Sequence, residues 1–171
     1  MRTRGSTQHR AEEFTAFVQA TGAQLERAAF LLTGDHHLAQ DLVQATYAKV
    51  YAAWRRVGDN PLAYARTTLL HSYVSHRRLR RNTEQPVDWA EDRADADGRD
   101  ADPGLRLDVL DALATLPALD RAVVVLRYWE DRSVADTALD LGISQDVVRT
   151  RARRALAKLR PLLDSTERTP S

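Results

Sequence analysis

The stretch VADTALDLGISQDVVRTRAR, Val134 to Arg153, decides the fold through the spacing of three residues. Ala138 stands where two helices cross so closely that only a small side chain fits. Gly142, four positions on, can take the left-handed backbone that a tight inter-helix turn needs. Val148, six positions further, fills the angle between the helices, with Leu141 and Ile143 beside it. This is the spacing of a helix-turn-helix, capped by Ser133 before the first helix and Ser144 before the second. Thr137 occupies a position that is usually apolar, which predicts a slightly looser motif.

The helix after Ser144, running to Leu159 or beyond, separates into two faces. Val148, Ala152, Ala155 and Leu159 follow a 4-3-4 spacing and belong to the core. Arg149, Thr150, Arg151, Arg153, Arg154, Lys158 and Arg160 occupy the remainder, and no acid lies between Asp146 and Asp164. By itself such a face would read first as solvated cations, or as cations complementing a helix C-terminus. Joined to the Ala-Gly-Val spacing it reads as a recognition helix, whose N-terminal half meets base edges while flanking cations hold phosphates.

Upstream, Leu107, Leu110, Leu113 and Leu116 mark one further helix. Pro117 starts another, with Val123, Val124, Val125, Leu126 and Tyr128 as its apolar run. Near the N-terminus Leu25, Ala28, Ala29 and Leu32 recur at helical spacing, as do Leu38, Leu42, Val43, Ala45 and Val50. Gly34 ends the first of these helices and Asp35 caps the second. Asn60 caps a third, with Pro61 at its first position, extending to about Arg81. Strand signals are nearly absent.

The expected fold is therefore all-α, two small helical domains joined by a flexible acidic linker, the second a helix-turn-helix domain. The boundaries are a disordered N-terminus at 1–10, a helical domain at 11–85, the linker at 86–104, the helix-turn-helix domain at 105–163 and a disordered tail at 164–171. The linker, PVDWAEDRADADGRDADPG, has no helical apolar period and cannot bury enough surface to offset its ordering entropy. Trp89 is its one large apolar residue.

The net charge of +1 conceals a segregation along the chain. Residues 1–85 carry 12 Lys/Arg against 7 Asp/Glu, the linker 2 against 7, and residues 105–171 carry 11 against 10. Within the first unit no acid occurs from Asn60 to Thr83, where Arg66, His71, His76, Arg77, Arg78, Arg80 and Arg81 cluster. Tyr64 and Tyr73 lie among these cations, an interleaving suited to single-stranded nucleic acid, though either tyrosine alone reads equally well as core.

Other chemistry finds no support. Without cysteine there is neither a disulfide nor a thiolate metal site. The pairs His36/His37 and His71/His76 lack the i, i+4 spacing of a helical chelate, so no metal and no cofactor is expected. There is no phosphate-cradling glycine loop and no nucleophile with a base partner, so the chain does not read as an enzyme. No apolar run suggests a membrane span or signal peptide, and a cytoplasmic location is expected.

Four motifs carry a resemblance: LLTGDHHLAQDLVQATYAKVYAAW (Leu31–Trp54), DNPLAYARTTLLHSYVSHRRLRR (Asp59–Arg81), LATLPALDRAVVVLRYWEDRSVADTALDLGIS (Leu113–Ser144) and DVVRTRARRALAKLR (Asp146–Arg160). In their order and spacing the chain resembles the extracytoplasmic-function (ECF) sigma factors of the sigma-70 family, in particular the actinobacterial sigma-E-like branch. The resemblance implies an RNA polymerase sigma factor that binds core polymerase, recognises −10 and −35 promoter elements and helps start transcription.

It further implies that Asp41, Leu42, Gln44, Tyr47, Tyr51 and Trp54 dock on the β′ clamp helices, with Val43 and Val50 among them. The second domain would meet the β flap. Asp59 and Asn60 fall in a loop that captures a flipped −10 base. Arg66, Tyr73, His76, Arg77, Arg78, Arg80 and Arg81 would contact the −10 region. Arg149, Thr150, Arg151, Arg153, Arg154 and Lys158 would contact the −35 major groove. The resemblance also admits an anti-sigma factor as partner. Many relatives carry paired tryptophans where this chain has Tyr73-Val74 and Ser75-His76, which predicts a less aromatic melting surface.

The 19 residues of the linker reach at most about 65 Å at roughly 3.4 Å per residue. Promoter elements one and a half helical turns apart lie some 50 Å from each other, within that reach. The rival reading is an autonomous helix-turn-helix repressor or activator with residues 1–85 as sensor or dimerisation domain. The acid-free basic helix from Asn60 counts against it, since a sensor needs no phosphate-binding surface.

Overall fold

The computed structural model describes residues 3–82 and 107–166, and every described element is helical. In chain order these are α1 (Thr3–Thr33), α2 (His36–Ala53), a 3-10 turn (Trp54–Arg56), α3 (Pro61–Asn82), α4 (Leu107–Ala114), α5 (Ala118–Val124), a π-turn (Val125–Trp129), α6 (Val134–Leu141) and α7 (Gln145–Thr166). The acidic linker, including Trp89, lies outside the described residues.

Local chemistry sets the boundaries. α1 stops at Gly34, whose φ of 72° is a left-handed conformation that a β-carbon would strain. Asp35 then accepts a hydrogen bond from the Leu38 amide at 2.8 Å and starts α2. Asn60 accepts from the Ala63 amide at 3.0 Å at the head of α3. In the second half Ser133 caps α6 through the Asp136 amide, and Ser144 caps α7 through the Val147 amide.

Two expectations at the ends are corrected. Residues 3–10, expected to be disordered, form the start of α1. The side chain of Arg10 lies 4.4 Å from the Tyr51 ring centroid and donates to the Tyr51 carbonyl at 3.0 Å, so the first turns have a partner on α2. Helix α7 likewise runs on to Thr166, with Pro161 inside it, and takes in residues 164–166 of the expected tail.

The first three helices enclose Leu25, Ala29, Leu32, Val43, Val50 and Leu69. The last four enclose Leu113, Leu116, Val123, Val124, Val148, Ala155 and Leu159. Each such fully buried Val or Leu side chain stabilises by about 1.5–3 kcal/mol relative to exposure. These two sets are not isolated. Val125 and Leu126 of the π-turn pack against Leu25 and Leu32 of α1 and Leu69 and Leu70 of α3, so one apolar seam joins the halves. The π-turn appears where the sequence reads as plain helix. The Glu130 amide bonds back to the Val125 carbonyl at 3.0 Å, closing the wider ring.

Candidate promoter and polymerase interface

The α6–α7 corner has the geometry that its sequence demands. Gly142 adopts φ 64° and ψ 37°, and its amide bonds back to α6. Val148 is completely buried between the helices, with Ala138 and Leu141 closing the crossing. Thr137 is also completely buried, and its hydroxyl finds no hydrogen-bond partner, so the polar atom costs stability at a position where a methyl would not.

The basic face of α7 divides further than its sequence suggests. Arg149, Thr150, Arg153, Arg154 and Lys158 are exposed, and Arg151 is half-buried. Arg149 pairs with Asp146 at 2.9 Å and with Gln145, both themselves exposed, so it stays on the surface. Arg151 turns inward instead and donates to the buried Asp120 carboxylate at 2.6 Å. Arg154 reaches the same carboxylate at 3.2 Å, and Lys158 donates to the Thr115 carbonyl at 2.6 Å. Arg151 therefore braces α7 against α5, whereas Arg154 and Lys158 make their contacts from the exposed surface. Asp120 is the residue that sequence reasoning missed. Its signal is an acid in the apolar run after Pro117, opposite an arginine-rich helix.

On α2, Asp41 and Gln44 are exposed one turn apart, and Leu42 is half-buried. Tyr47, Tyr51 and Trp54 are half-buried in an aromatic cluster with Phe14 and Phe17 of α1. The Phe14–Tyr51 and Phe14–Trp54 ring centroids are 4.9 and 5.1 Å apart, edge-to-face spacings that suit the ring quadrupoles. The Tyr47 hydroxyl lies 3.0 Å from Thr21 Oγ1. Burial pushes this phenol up from its ordinary value near 10, and the Thr21 hydrogen bond opposes the shift. These three aromatics hold α1 to α2 and leave the outward face to Asp41 and Gln44.

The −10 candidates also separate. Asp59, Asn60, His76 and Arg78 are exposed, and Arg77 is half-buried. The side chains of Arg80 and Arg81 lie outside the described residues. Tyr73, read as a stacking surface, is only 3% exposed and belongs to the core. Burial raises its hydroxyl pKa, against the opposing pull of the Arg121 and Arg77 guanidinium groups. Arg66 is 13% exposed at its side chain and lies 3.9 Å from Glu130 of the second half. Arg66 is covered where Glu130 of the second half packs on α3, and Tyr73 is part of the buried core.

One surface was not foreseen. An apolar groove of about 270 Å³ opens between α4, the π-turn and the end of α7, lined by Val109, Leu113, Tyr128, Trp129, Leu159 and Leu163. Its sequence signal is the continued apolar spacing Leu156, Leu159, Leu163 beyond the helix-turn-helix. Among the described residues no group of three or more His, Cys, Asp or Glu is placed to hold a metal ion. His36 stacks on Phe30 with centroids 4.2 Å apart. Nor is any described helix long and apolar enough to cross a membrane.

Comparison with known proteins bears on this arrangement. The model of Sigma-70 region 2 matches residues 17–83, and that of Sigma-70, region 4 matches residues 106–159. The RNA polymerase sigma-E factor of Streptomyces avermitilis is 35% identical over 91% of this chain and 87% of its own length. That of Streptomyces coelicolor is 37% identical over 86% and 84%. Among solved structures, the sigma factor RpoE of Bartonella quintana, in complex with the anti-sigma factor NepR, superposes with a TM-score of 0.70. It is 27% identical, and the match covers 90% of this chain and 98% of that one.

Proposed function

The chain belongs to the ECF group of the sigma-70 family, and on that premise we propose how its two domains divide the work of promoter recognition. It is an RNA polymerase sigma factor: it binds core polymerase, recognises −10 and −35 promoter elements and helps start transcription. It is a regulatory protein, and the polymerase carries out the chemistry in the cytoplasm. The observation that carries the reading is the α6–Gly142–α7 corner, with Arg149, Thr150 and Arg153 exposed on the first half of α7.

Arg149, Thr150 and Arg153 meet the −35 major groove, where arginine forks can read guanine edges or hold phosphates. Arg151, Arg154 and Lys158 orient α7 for that contact through Asp120 and the end of α4. Asp41 and Gln44 provide the polar contacts to the β′ clamp helices, with Leu42 as their apolar neighbour. Tyr47, Tyr51 and Trp54 keep α2 rigid behind them. The loop at Asp59 and Asn60 captures a flipped −10 base, while His76, Arg77, Arg78, Arg80 and Arg81 follow the backbone of the opened strand. Arg66, beside Glu130, and Tyr73, in the core, lie behind this surface.

The apolar groove between α4 and α7 receives the β flap. By analogy with the Bartonella quintana sigma factor, an anti-sigma factor holds this chain in reserve. The test is co-purification with core RNA polymerase followed by run-off transcription from genomic fragments. Stoichiometric binding with new start sites is the expected result. Tight operator binding by the chain alone, with no affinity for core polymerase, would overturn it.

A further inference from the structure

We propose that Asp146, together with Gln145, is a positioning residue for Arg149: the two hold its guanidinium in place to read one guanine of the −35 element. The inference rests on the sigma-factor reading above. Asp146 stands in the first turn of α7, and the only other acid of that helix is Asp164. Asp146, Arg149, Thr150 and Arg153 follow i, i+3, i+4, i+7 spacing and are all exposed, while the stripe of Val148, Ala152, Ala155 and Leu159 is buried. The acid therefore lies within the stripe that meets DNA, where its charge opposes the phosphates.

Starting the helix does not account for an acid there. Ser144 already caps α7: its Oγ accepts from the Val147 amide at 3.2 Å and its carbonyl from the Val148 amide at 3.1 Å. The Asp146 carboxylate turns to the Arg149 side chain instead, Oδ1 accepting from Nη1 at 2.9 Å, and Gln145 Oε1 accepts from Nη2 at 3.2 Å. A first-turn acid also complements the helix dipole, yet that effect needs no arginine, and here two side chains converge on one guanidinium. Nor does the pair serve stability. Asp146 is 93% and Arg149 51% exposed at the side chain, and water screens such a contact.

What the contact does supply is orientation. An arginine free in solvent loses its rotamer freedom when it binds, whereas one already held has lost it beforehand. A guanidinium carries its N–H donors in one plane as a rigid fork. Gln145 and Asp146 engage one hydrogen each, and the remaining donors suffice for the bidentate contact to guanine O6 and N7. Adenine offers an amino donor where guanine has O6, so a fork fixed in this place meets a donor and is rejected. A mobile arginine would swing to a phosphate instead, with no preference among bases. Asp146 thus exchanges some affinity for any DNA against discrimination at one base pair.

The test uses the full chain assembled with core polymerase, and a promoter fragment obtained by run-off transcription with its −35 base pairs randomised. Duplexes retained by the holoenzyme are sequenced. The native chain should prefer G·C in one orientation at one position by about tenfold or more, and Arg149→Ala should flatten that position. Asp146→Ala should lower the same preference by about fivefold or more, leave the other −35 positions intact and retain more unselected DNA. A profile for Asp146→Ala equal to the native one would overturn the proposal. So would equal flattening at every −35 position, the mark of a helix that is merely loosened. Failure of the native chain even to bind core polymerase would overturn the sigma-factor reading, and this proposal with it.

A double-mutant cycle on the same library tests that Asp146 acts through Arg149 and not on its own. In the Arg149→Ala background, Asp146→Ala should change the preference at that position by less than about twofold. An effect of about fivefold that persists without Arg149 would overturn the positioning role. Each preference is a ratio between base pairs for one variant, so a general loss of helix stability cancels from it.

Discussion

Replacing Asp120 by asparagine isolates what positions the recognition helix. The carboxylate is 2% exposed and accepts from Arg151 at 2.6 Å and Arg154 at 3.2 Å. Asparagine keeps the volume but turns an acceptor-only group into one that also presents an amide donor to two guanidinium groups. A hydrogen bond to a charged group contributes about 1.5–3 kcal/mol. The two bonds are unequal here. Arg151 is 29% exposed at its side chain, whereas Arg154 is 65% exposed and re-solvates readily when its partner is removed. An exposed ion pair contributes about 0–1 kcal/mol, so Arg151 carries most of the effect and the total is about 2 kcal/mol.

For a chain of this size 1 kcal/mol moves the melting midpoint by about 2–4 °C, so Asp120→Asn should lower Tm by roughly 4–8 °C. The assay is thermal and urea unfolding of the full chain at neutral pH, followed by circular dichroism. Arg151→Met should cost more than Arg154→Met, because only the former strips a buried carboxylate of its close partner. A Tm change under about 1 °C for Asp120→Asn would refute this account of the basic face. Equal losses for the two arginine variants would do the same.

Thr137→Val should stabilise the helix-turn-helix by about 1 kcal/mol and raise Tm by a few degrees, since it removes a buried hydroxyl that has no partner; a fall in Tm would show that the hydroxyl is satisfied in solution. Burial raises the Tyr73 pKa above its unfolded value of 10.0, so its contribution to stability is fully present below pH 10 and is lost as pH rises through the higher folded value. Tyr73→Phe should flatten that alkaline decline in a urea-unfolding series, and an unaltered pH profile would contradict it. Asp41→Ala should weaken co-purification with core polymerase several-fold with Tm unchanged, because its side chain is exposed on α2. Arg149→Ala with Arg153→Ala should instead spare polymerase binding and weaken binding of −35 DNA by about 1–3 kcal/mol for each arginine that pairs with a base edge, with reversed phenotypes excluding this division of roles.

The features legible in the linear chain depend on residues within about four positions of each other. Asp35, Asn60, Ser133 and Ser144 cap helices through bonds to amides three residues on, and Gly34 and Gly142 supply left-handed backbone at helix ends. The 4-3-4 apolar spacing of α7 likewise names its buried face without knowledge of what covers it. These patterns carried the helix order, the helix-turn-helix and the exposed Arg149, Thr150, Arg153, Asp41 and Gln44.

What tertiary structure decided is which side of each helix acquires a partner from far along the chain. Whether Tyr73 stacks on bases or enters the core depends on what packs against its face of α3. Whether Arg151 faces DNA or Asp120 depends on a residue 31 positions away. The aromatic residues of α2 became packing because α1 begins early enough to bring Phe14 and Arg10 over them. A cation or a tyrosine has the same helical propensity and the same place in the pattern in either case. Only the approach of a distant carbonyl, carboxylate or ring makes burial favourable, and no local rule encodes that approach.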